Sequence, residues 1–172
     1  MNLPYAIMAF VTLQRLSELV IAKRNTARLM AAGAREYGAN HYPVMVTMHT
    51  AWLLALWFSV GDRAVSWPLL LIFAMLQGMR VWVLATLGPR WTTRIIVLPG
   101  ASLVAKGPFR FLRHPNYAVV TAEIAVLPLT FGLVGIAALF TVLNAAMLYV
   151  RIGAENRALG ISGGASPPPA QP

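Results

Sequence analysis

The chain has 172 residues, of which 58% are hydrophobic and only 11% are charged, and its mean hydropathy is +0.66. Soluble domains usually carry about 25% charged residues, so this composition excludes an ordinary water-soluble domain and predicts an integral membrane protein. The absence of cysteine from the sequence excludes disulfides and thiolate chemistry.

Five apolar stretches, taken in chain order, are long enough to cross or nearly cross a bilayer. They are Leu3–Ala22, Tyr42–Val60, Trp67–Leu87, Tyr117–Phe131 and Leu133–Val150. The last two are short, and Pro128 and Gly132 near their junction indicate a tight helical hairpin. We therefore predict an all-α integral membrane protein with about five transmembrane helices in one domain, residues 1–160, followed by a disordered Gly- and Pro-rich tail, residues 161–172.

The basic residues are distributed unevenly among the connections between these stretches. Fourteen Lys and Arg against five Asp and Glu give a net charge of +9. Eleven basic residues fall in the first connection, the third connection or the segment after the last stretch: Lys23, Arg24, Arg28, Arg35, Arg90, Arg94, Lys106, Arg110, Arg113, Arg151 and Arg157. Only Arg63 lies in the second connection. The positive-inside rule then predicts an outside N-terminus and a cytoplasmic C-terminus. Because topology explains most of the charge, we expect no nucleic-acid partner.

Polar residues from all five stretches fall at a similar depth, roughly 10 Å from the predicted cytoplasmic ends at 1.5 Å per residue. They are Gln14, Arg15, Glu18, His49, Gln77, Arg80, Glu123 and Asn144. Ionisable groups at this depth cost at least about 2.5 kcal/mol each and normally face water or one another. Two interpretations remain open. The layer lines a cavity that opens to the cytosol, or Arg15 pairs with Glu18 and Arg80 with Glu123 for structural reasons while His49 is a core histidine.

The long connection from Gly88 to Asn116 contains the most specific string, Gly107-Pro108-Phe109-Arg110-Phe111-Leu112-Arg113-His114-Pro115-Asn116-Tyr117. Pro115 should force His114 out of the helical region and start a new helix. Arg151 and Glu155 follow the last stretch and, four residues apart, share a helical face. These residues suit a small zwitterion that bears a carboxylate, and they equally suit a phospholipid headgroup.

At these residues the sequence resembles the isoprenylcysteine carboxyl methyltransferase family. The hallmark of that family is a Gly-Pro-aromatic-Arg segment running into Arg-His-Pro-x-Tyr, followed one helical hairpin later by Arg-Ile-x-x-Glu-Glu. The resemblance covers Lys106 to Leu159. Glu18, Arg24-Asn25, the segment from Gly33 to Tyr42, and His49 further resemble a bacterial branch that is associated with type III polyketide synthases and methylates alkylpyrones.

The resemblance implies S-adenosylmethionine as the cofactor and a lipophilic acceptor that is methylated on oxygen, either a carboxylate or an alkylpyrone hydroxyl. The residues that it implies for cofactor binding are Lys106, Gly107, Pro108, Arg110, Leu112, Arg113, His114, Pro115 and Tyr117. Arg151 would orient the acceptor oxygen, and Glu155 would fix Arg151 or a cofactor amine. Asn156 replaces the second glutamate of the family and a Gly/Pro tail replaces its usual C-terminal extension, which argues against a prenylated-protein substrate.

Methyl transfer is an in-line displacement, so the protein mainly has to align donor and acceptor, and we expect no metal ion. Glu123 and His49 are candidate proton acceptors for a hydroxyl substrate. The expected setting is a bacterial cytoplasmic membrane, with the acceptor and membrane lipids as partners and the site facing the cytosol. Two alternatives remain: a nicotinamide-dependent membrane reductase of a related fold, and a non-enzymatic lipid-binding protein.

Overall fold

The computed structural model describes residues 2–160, so the predicted disordered tail, residues 161–172, lies outside the described residues. Five α-helices form this part of the chain: α1 (Leu3–Ala31), α2 (Tyr42–Ser59), α3 (Trp67–Leu87), α4 (Pro115–Thr130) and α5 (Val134–Ala158). Short 3-10 turns occupy Ala39–His41, Gly88–Arg90 and Gly107–Arg110. Two three-residue strands, β1 (Arg35–Tyr37) and β2 (Ile95–Val97), complete the fold.

The first and last helices run well beyond their predicted apolar stretches. α1 continues for nine residues past Ala22, and α5 continues for eight residues past Val150. The added turns are rich in Arg and Ala, which are good helix formers but give little hydrophobic signal. α4 begins at Pro115 as predicted, because the ring restricts His114 to a non-helical conformation with φ −127° and ψ 64°.

The helices are those of an integral membrane protein. α1, α3 with its following turn (Trp67–Arg90), and α5 are long and apolar enough to cross a bilayer. Large apolar side chains cover their outer faces and that of α2; Phe58, for example, is 87% exposed and Tyr149 is 84% exposed. A surface of this kind is stable against lipid and not against water.

Three layers follow one another along the bundle. An apolar core fills the end that holds the α2–α3 connection, which we call the far end; its buried members include Met8, Leu56, Phe73, Leu127 and Phe140. A layer of buried charges lies in the middle. The other end, which we call the loop end, is covered by the connections after α1 and α3, so α4 and α5 meet the long loop there.

A small antiparallel ribbon departs from the all-α prediction. β1 pairs with β2 in the register Arg35↔Val97, Glu36↔Ile96 and Tyr37↔Ile95. Three-residue strands are too short to give a period-two pattern, so the sequence alone offered no signal for them. The ribbon joins the first connection to the third and covers the loop end of the bundle.

Candidate functional site

The polar layer is a closed ion-pair network. Arg80 donates to both oxygens of Glu18, at 2.6 Å each, and to Glu123 Oε2 at 2.8 Å. Arg15 bridges the same two carboxylates, at 3.2 Å from Glu18 and 2.7 Å from Glu123. Gln77 donates to the other oxygen of Glu123 at 2.8 Å. Two cations and two anions are thus paired across α1, α3 and α4.

Both oxygens of Glu123 accept hydrogen bonds inside the network, which is the pairing that the structural alternative describes. His49 bonds through Nδ1 to the carbonyl of Met45, one turn earlier in its own helix, at 2.8 Å. Asn144 donates to Thr121 at 3.1 Å. Neither Glu123 nor His49 lines the cavity described next.

A cavity of about 510 Å³ lies at the loop end, between the long loop and the ends of α4 and α5. Its wall includes Arg110, Leu112, Arg113, His114, Pro115 and Tyr117 from the predicted cofactor segment. Arg151 and Glu155 line it from α5. The structure therefore brings eight of the predicted site residues to one space, although His114 and Glu155 are separated by forty residues of chain.

Tyr117 is the centre of a hydrogen-bonded cluster on this wall. Its hydroxyl donates to Glu155 Oε2 and accepts from Arg151 Nε at 3.0 Å. His114 stacks on the Tyr117 ring, with centroids 5.3 Å apart, and its Nδ1 lies 3.7 Å from Glu155 Oε2. Arg151 is buried and also donates to the Thr93 carbonyl at 2.6 Å. The cluster holds α4, α5 and the loop in one arrangement.

Several residues that the site depends on were not among the predicted site residues. Asn25 of α1 is buried and donates to the carbonyls of Gly88 and Trp91, at 3.1 and 2.8 Å. The Tyr42 hydroxyl is 3.1 Å from that of Thr93. These contacts fix the first part of the long loop. The sequence shows the amide of Asn25 in a polar extension of the first helix, and this was the only indication of its role. The carbonyls that it binds belong to the backbone, so no residue type identifies them.

Three predicted cofactor residues, Lys106, Gly107 and Pro108, do not line the cavity. Gly107 instead sets the loop against α3. Its φ is +57°, and a Cβ placed there would lie 2.6 Å from Thr86 Oγ1 and 3.3 Å from Trp82 Nε1. The following Pro108 is buried. This part of the segment therefore positions the residues that come after it.

The cavity is strongly basic. Arg90, Arg94, Arg110, Arg113 and Arg151 line it, against the one carboxylate of Glu155. Burial disfavours the charged form of Arg94, but the hydrogen bond and charge of Glu36 outweigh this effect and raise its pKa. Burial, assisted by the charge of Arg151, lowers the pKa of nearby His41, so that histidine adds no positive charge at neutral pH.

Polar atoms without partners also face this region. Trp91 Nε1, Asn116 Oδ1 and His114 Nε2 are buried and have no hydrogen-bond partner among residues 2–160. All three residues belong to the wall of the cavity. Buried polar atoms are normally satisfied, so three unsatisfied atoms in one wall indicate a place for a ligand.

A second, more open space of about 490 Å³ runs along α4 and α5. It is mainly apolar and lined by small side chains, among them Ala118, Ala122 and Ala125. Two of its lining residues, His114 and Tyr117, also line the basic cavity. This second space, which we call the apolar groove, therefore meets the basic cavity at His114 and Tyr117.

The fold and this site define a helical membrane protein with a basic small-molecule cavity at one end of the bundle. The family model for isoprenylcysteine carboxyl methyltransferase (ICMT) matches residues 69–161, which is α3 to the end of α5. The chain belongs to this family. Membership indicates a membrane methyltransferase and does not favour the reductase or the non-enzymatic lipid-binding protein.

The chain is similar to two curated proteins, to the first over nearly its whole length and to the second over part of it. The chain is 39% identical over 160 residues to "Uncharacterized protein YpbQ" of Bacillus subtilis (strain 168), which covers 90% of this chain and 95% of that protein. It is 29% identical over 110 residues to an "Uncharacterized protein" of Haemophilus influenzae, which covers 60% of this chain and 63% of the relative. No solved structure matches the chain significantly.

Proposed function

We propose that the protein transfers the methyl group of S-adenosylmethionine to an oxygen of a lipophilic acceptor, a carboxylate or an alkylpyrone hydroxyl. The observation that supports this most directly is the single cavity that joins the His114 segment to Arg151 and Glu155, in a chain of the ICMT family.

The residues of the cavity fit the cofactor. The volume of about 510 Å³ lies within the range of roughly 300–1,000 Å³ for small-molecule sites. Arg110 and Arg113 suit a carboxylate, Glu155 suits an amine, and the unpartnered Trp91 Nε1 and Asn116 Oδ1 suit hydroxyl or ring groups. When bound, the cofactor supplies a methyl group on a sulfonium; the chain itself supplies alignment, charge and exclusion of water.

Arg151 is the residue best placed to orient an acceptor oxygen. Its Tyr117 and Thr93 contacts fix the guanidinium in the wall of the basic cavity, close to where that cavity meets the apolar groove. The groove along Ala118, Ala122 and Ala125 suits a slender hydrocarbon chain that enters from the bilayer. The acceptor head would then reach the basic cavity while its chain stays in lipid.

The proposed setting is a five-span protein in a bacterial cytoplasmic membrane, with the loop end facing the cytosol. The distribution of basic residues supports this orientation, since the loop end carries eleven of the fourteen. α2, with 18 residues, is near the lower limit of about 17 residues for a crossing helix, and α4, with 16, is just below it, so the bilayer thins locally around α4.

Cofactor binding to the purified protein in nanodiscs tests the proposal first. We expect saturable binding of radiolabelled S-adenosylmethionine and no binding of a reduced nicotinamide. Glu155→Gln should weaken S-adenosylmethionine binding by about tenfold, since it removes the one acidic charge of the cavity. Asp62→Asn, which makes the same change in the far-end α2–α3 connection, should leave binding unchanged.

Methyl transfer itself is tested by mass spectrometry of lipid extracts from cells with and without the protein. The expected result is a lipid that gains one methyl group in the presence of wild-type protein and not with Glu155→Gln. Binding of a nicotinamide, or an unchanged lipid profile together with absent S-adenosylmethionine binding, would contradict the proposed function.

A further inference from the structure

His114 lies where the basic cavity meets the apolar groove. Only His114 and Tyr117 line both the basic cavity and the apolar groove in the described part of the chain. A lipophilic acceptor that enters by the groove and meets the cofactor in the cavity must pass these two side chains. Either could touch the reacting oxygen.

The hydroxyl of Tyr117 is already engaged on both sides. It donates its proton to Glu155 and accepts from Arg151, so it has no free role for a substrate. Glu155 itself lines the basic cavity but not the groove. The two other candidate bases, Glu123 and His49, line neither space, and Glu123 belongs to the ion-pair network.

The imidazole of His114 is arranged as a base. Its Nδ1 faces Glu155 Oε2 at 3.7 Å, which is beyond hydrogen-bond distance, and the negative charge of this carboxylate favours the tautomer with the proton on Nδ1. Nε2, on the opposite edge of the ring, then carries the free lone pair, and it is buried without a partner among residues 2–160. Stacking on Tyr117 fixes the plane of the ring. The Glu155 carboxylate thus lies on one side of the His114 ring, and the unpartnered Nε2 lies on the other.

We infer that His114 is the general base that accepts the proton of a hydroxyl acceptor, with Glu155 as its orienting carboxylate; the assignment rests on the proposed methyltransferase function. As the acceptor oxygen bonds to the methyl carbon, its proton passes to Nε2. The carbon–sulfur bond breaks and its electron pair stays on sulfur. The positive charge lost from sulfur appears on the imidazolium beside Glu155, and the proton then leaves to water.

Two probes with the same alkyl chain separate a base from a cofactor-binding residue. 4-Octylphenol has a hydroxyl like that of tyrosine, with a pKa of about 10, whereas 4-octylbenzoic acid has a carboxyl that is ionised at neutral pH. A base is needed only for the phenol. The variant is His114→Asn, because asparagine suits the residue that precedes the first turn of α4. His114→Gln serves as a second variant.

In nanodiscs at neutral pH, we expect His114→Asn to lose about 100-fold or more in methyl transfer to 4-octylphenol while 4-octylbenzoate is methylated at nearly the wild-type rate. Binding of S-adenosylmethionine should persist, which also shows that the variant is folded. The matched control is His41→Gln: that ring also has an unpartnered buried Nε2 at the same end but lines neither space, so both rates should be retained.

Equal losses on both probes would overturn the assignment and make His114 a cofactor-binding or structural residue. Unchanged transfer to both probes, or wild-type activity on the benzoate alone, would overturn it as well. If the wild-type protein binds S-adenosylmethionine and methylates neither probe, the base assignment fails while the cofactor proposal stands. If it binds no S-adenosylmethionine, the proposed function fails first.

Discussion

Glu123 shows how a single buried side chain balances charge inside the bundle. It neutralises Arg15 and Arg80, which otherwise share only Glu18. Removing one partner of a buried ion pair typically costs about 3–5 kcal/mol, because the remaining charge is left without compensation. Within the hydrocarbon core of a membrane, water does not solvate such a charge.

We therefore expect Glu123→Gln to lower stability by about 3–5 kcal/mol, read from the midpoint of unfolding in mixed micelles. Arg63→Gln is the control, since Arg63 lies exposed in the α2–α3 connection and its side chain donates to the carbonyl of Ser59, the last residue of α2. Binding of S-adenosylmethionine to the folded fraction should be retained, because Glu123 does not line the cavity. Full stability with lost methyl transfer would instead make Glu123 catalytic.

Gly107 is a second position where one residue decides a local structure. Both its φ of +57° and the nearness of Thr86 exclude a side chain. Gly107→Ala should cost about 1–3 kcal/mol and shift the turn that precedes Arg110 and Arg113. In a Thr86→Ala background the cost should fall, since the closest contact is then removed.

The measurement is a double-mutant cycle on the unfolding midpoint. Gly100→Ala is the matched control: it has a φ of +76° but open space around its Cβ position, so it reports the cost of backbone strain alone. Equal losses of stability for Gly107→Ala in the two backgrounds would show that the Thr86 side chain moves aside without strain, which would contradict this prediction.

At the scale of single residues, the sequence predicted the features that depend on near neighbours in the chain. Pro115 starts α4, and Arg151 and Glu155 share a face of α5, because both features depend on a few neighbouring residues. The pairing of Arg80 with both Glu18 and Glu123 was only partly predictable, since depth can be counted along a helix but rotation about its axis cannot. The bond from Arg151 to the Thr93 carbonyl was not predictable at all.

Among the elements, the long loop takes its shape from α1 and the ribbon. The amide of Asn25 holds two loop carbonyls, and the salt bridge from Arg94 to Glu36 holds the start of β2, with N···O distances of 2.9–3.0 Å. Both anchors come from the part of the chain that precedes the family match at residues 69–161. The helices shared with the family thus depend on α1 and β1 for one wall of their cavity.

Asn25→Ala tests this dependence, because it leaves the buried Trp91 carbonyl without its side-chain donor and removes one of the two donors to the Gly88 carbonyl, at a cost of about 1–3 kcal/mol. Asn25 does not line the cavity, so the effect on the cofactor is indirect. We expect S-adenosylmethionine to bind about tenfold more weakly, measured by equilibrium binding, and loop amides to exchange hydrogen faster. Lys23→Ala, an exposed change on the same helix, should alter neither; equal effects of the two changes would refute the dependence.

At the scale of the whole molecule, the absence of cysteine makes topology directly measurable. Single cysteines in place of Asp62, Ser102 and Val134 report on the α2–α3 connection, the long loop and the α4–α5 turn. With five spans and a cytosolic loop end, an impermeant maleimide should label the first and third on intact cells and the second only after lysis. The reverse pattern would invert the orientation, and no labelling at Val134 would reduce the span count.

The five helices were predictable because each is marked by its own run of apolar residues, whereas the ribbon depends on two segments about sixty residues apart in the chain. That separation also has a consequence during biosynthesis. α1 and α2 emerge from the ribosome and enter the bilayer while β1 still lacks its partner strand. The ribbon that covers the loop end forms only after residues 95–97 have been translated. A chain truncated before residue 95 contains α1, α2 and α3 but lacks β2, α4 and α5, so the cavity forms only late in synthesis.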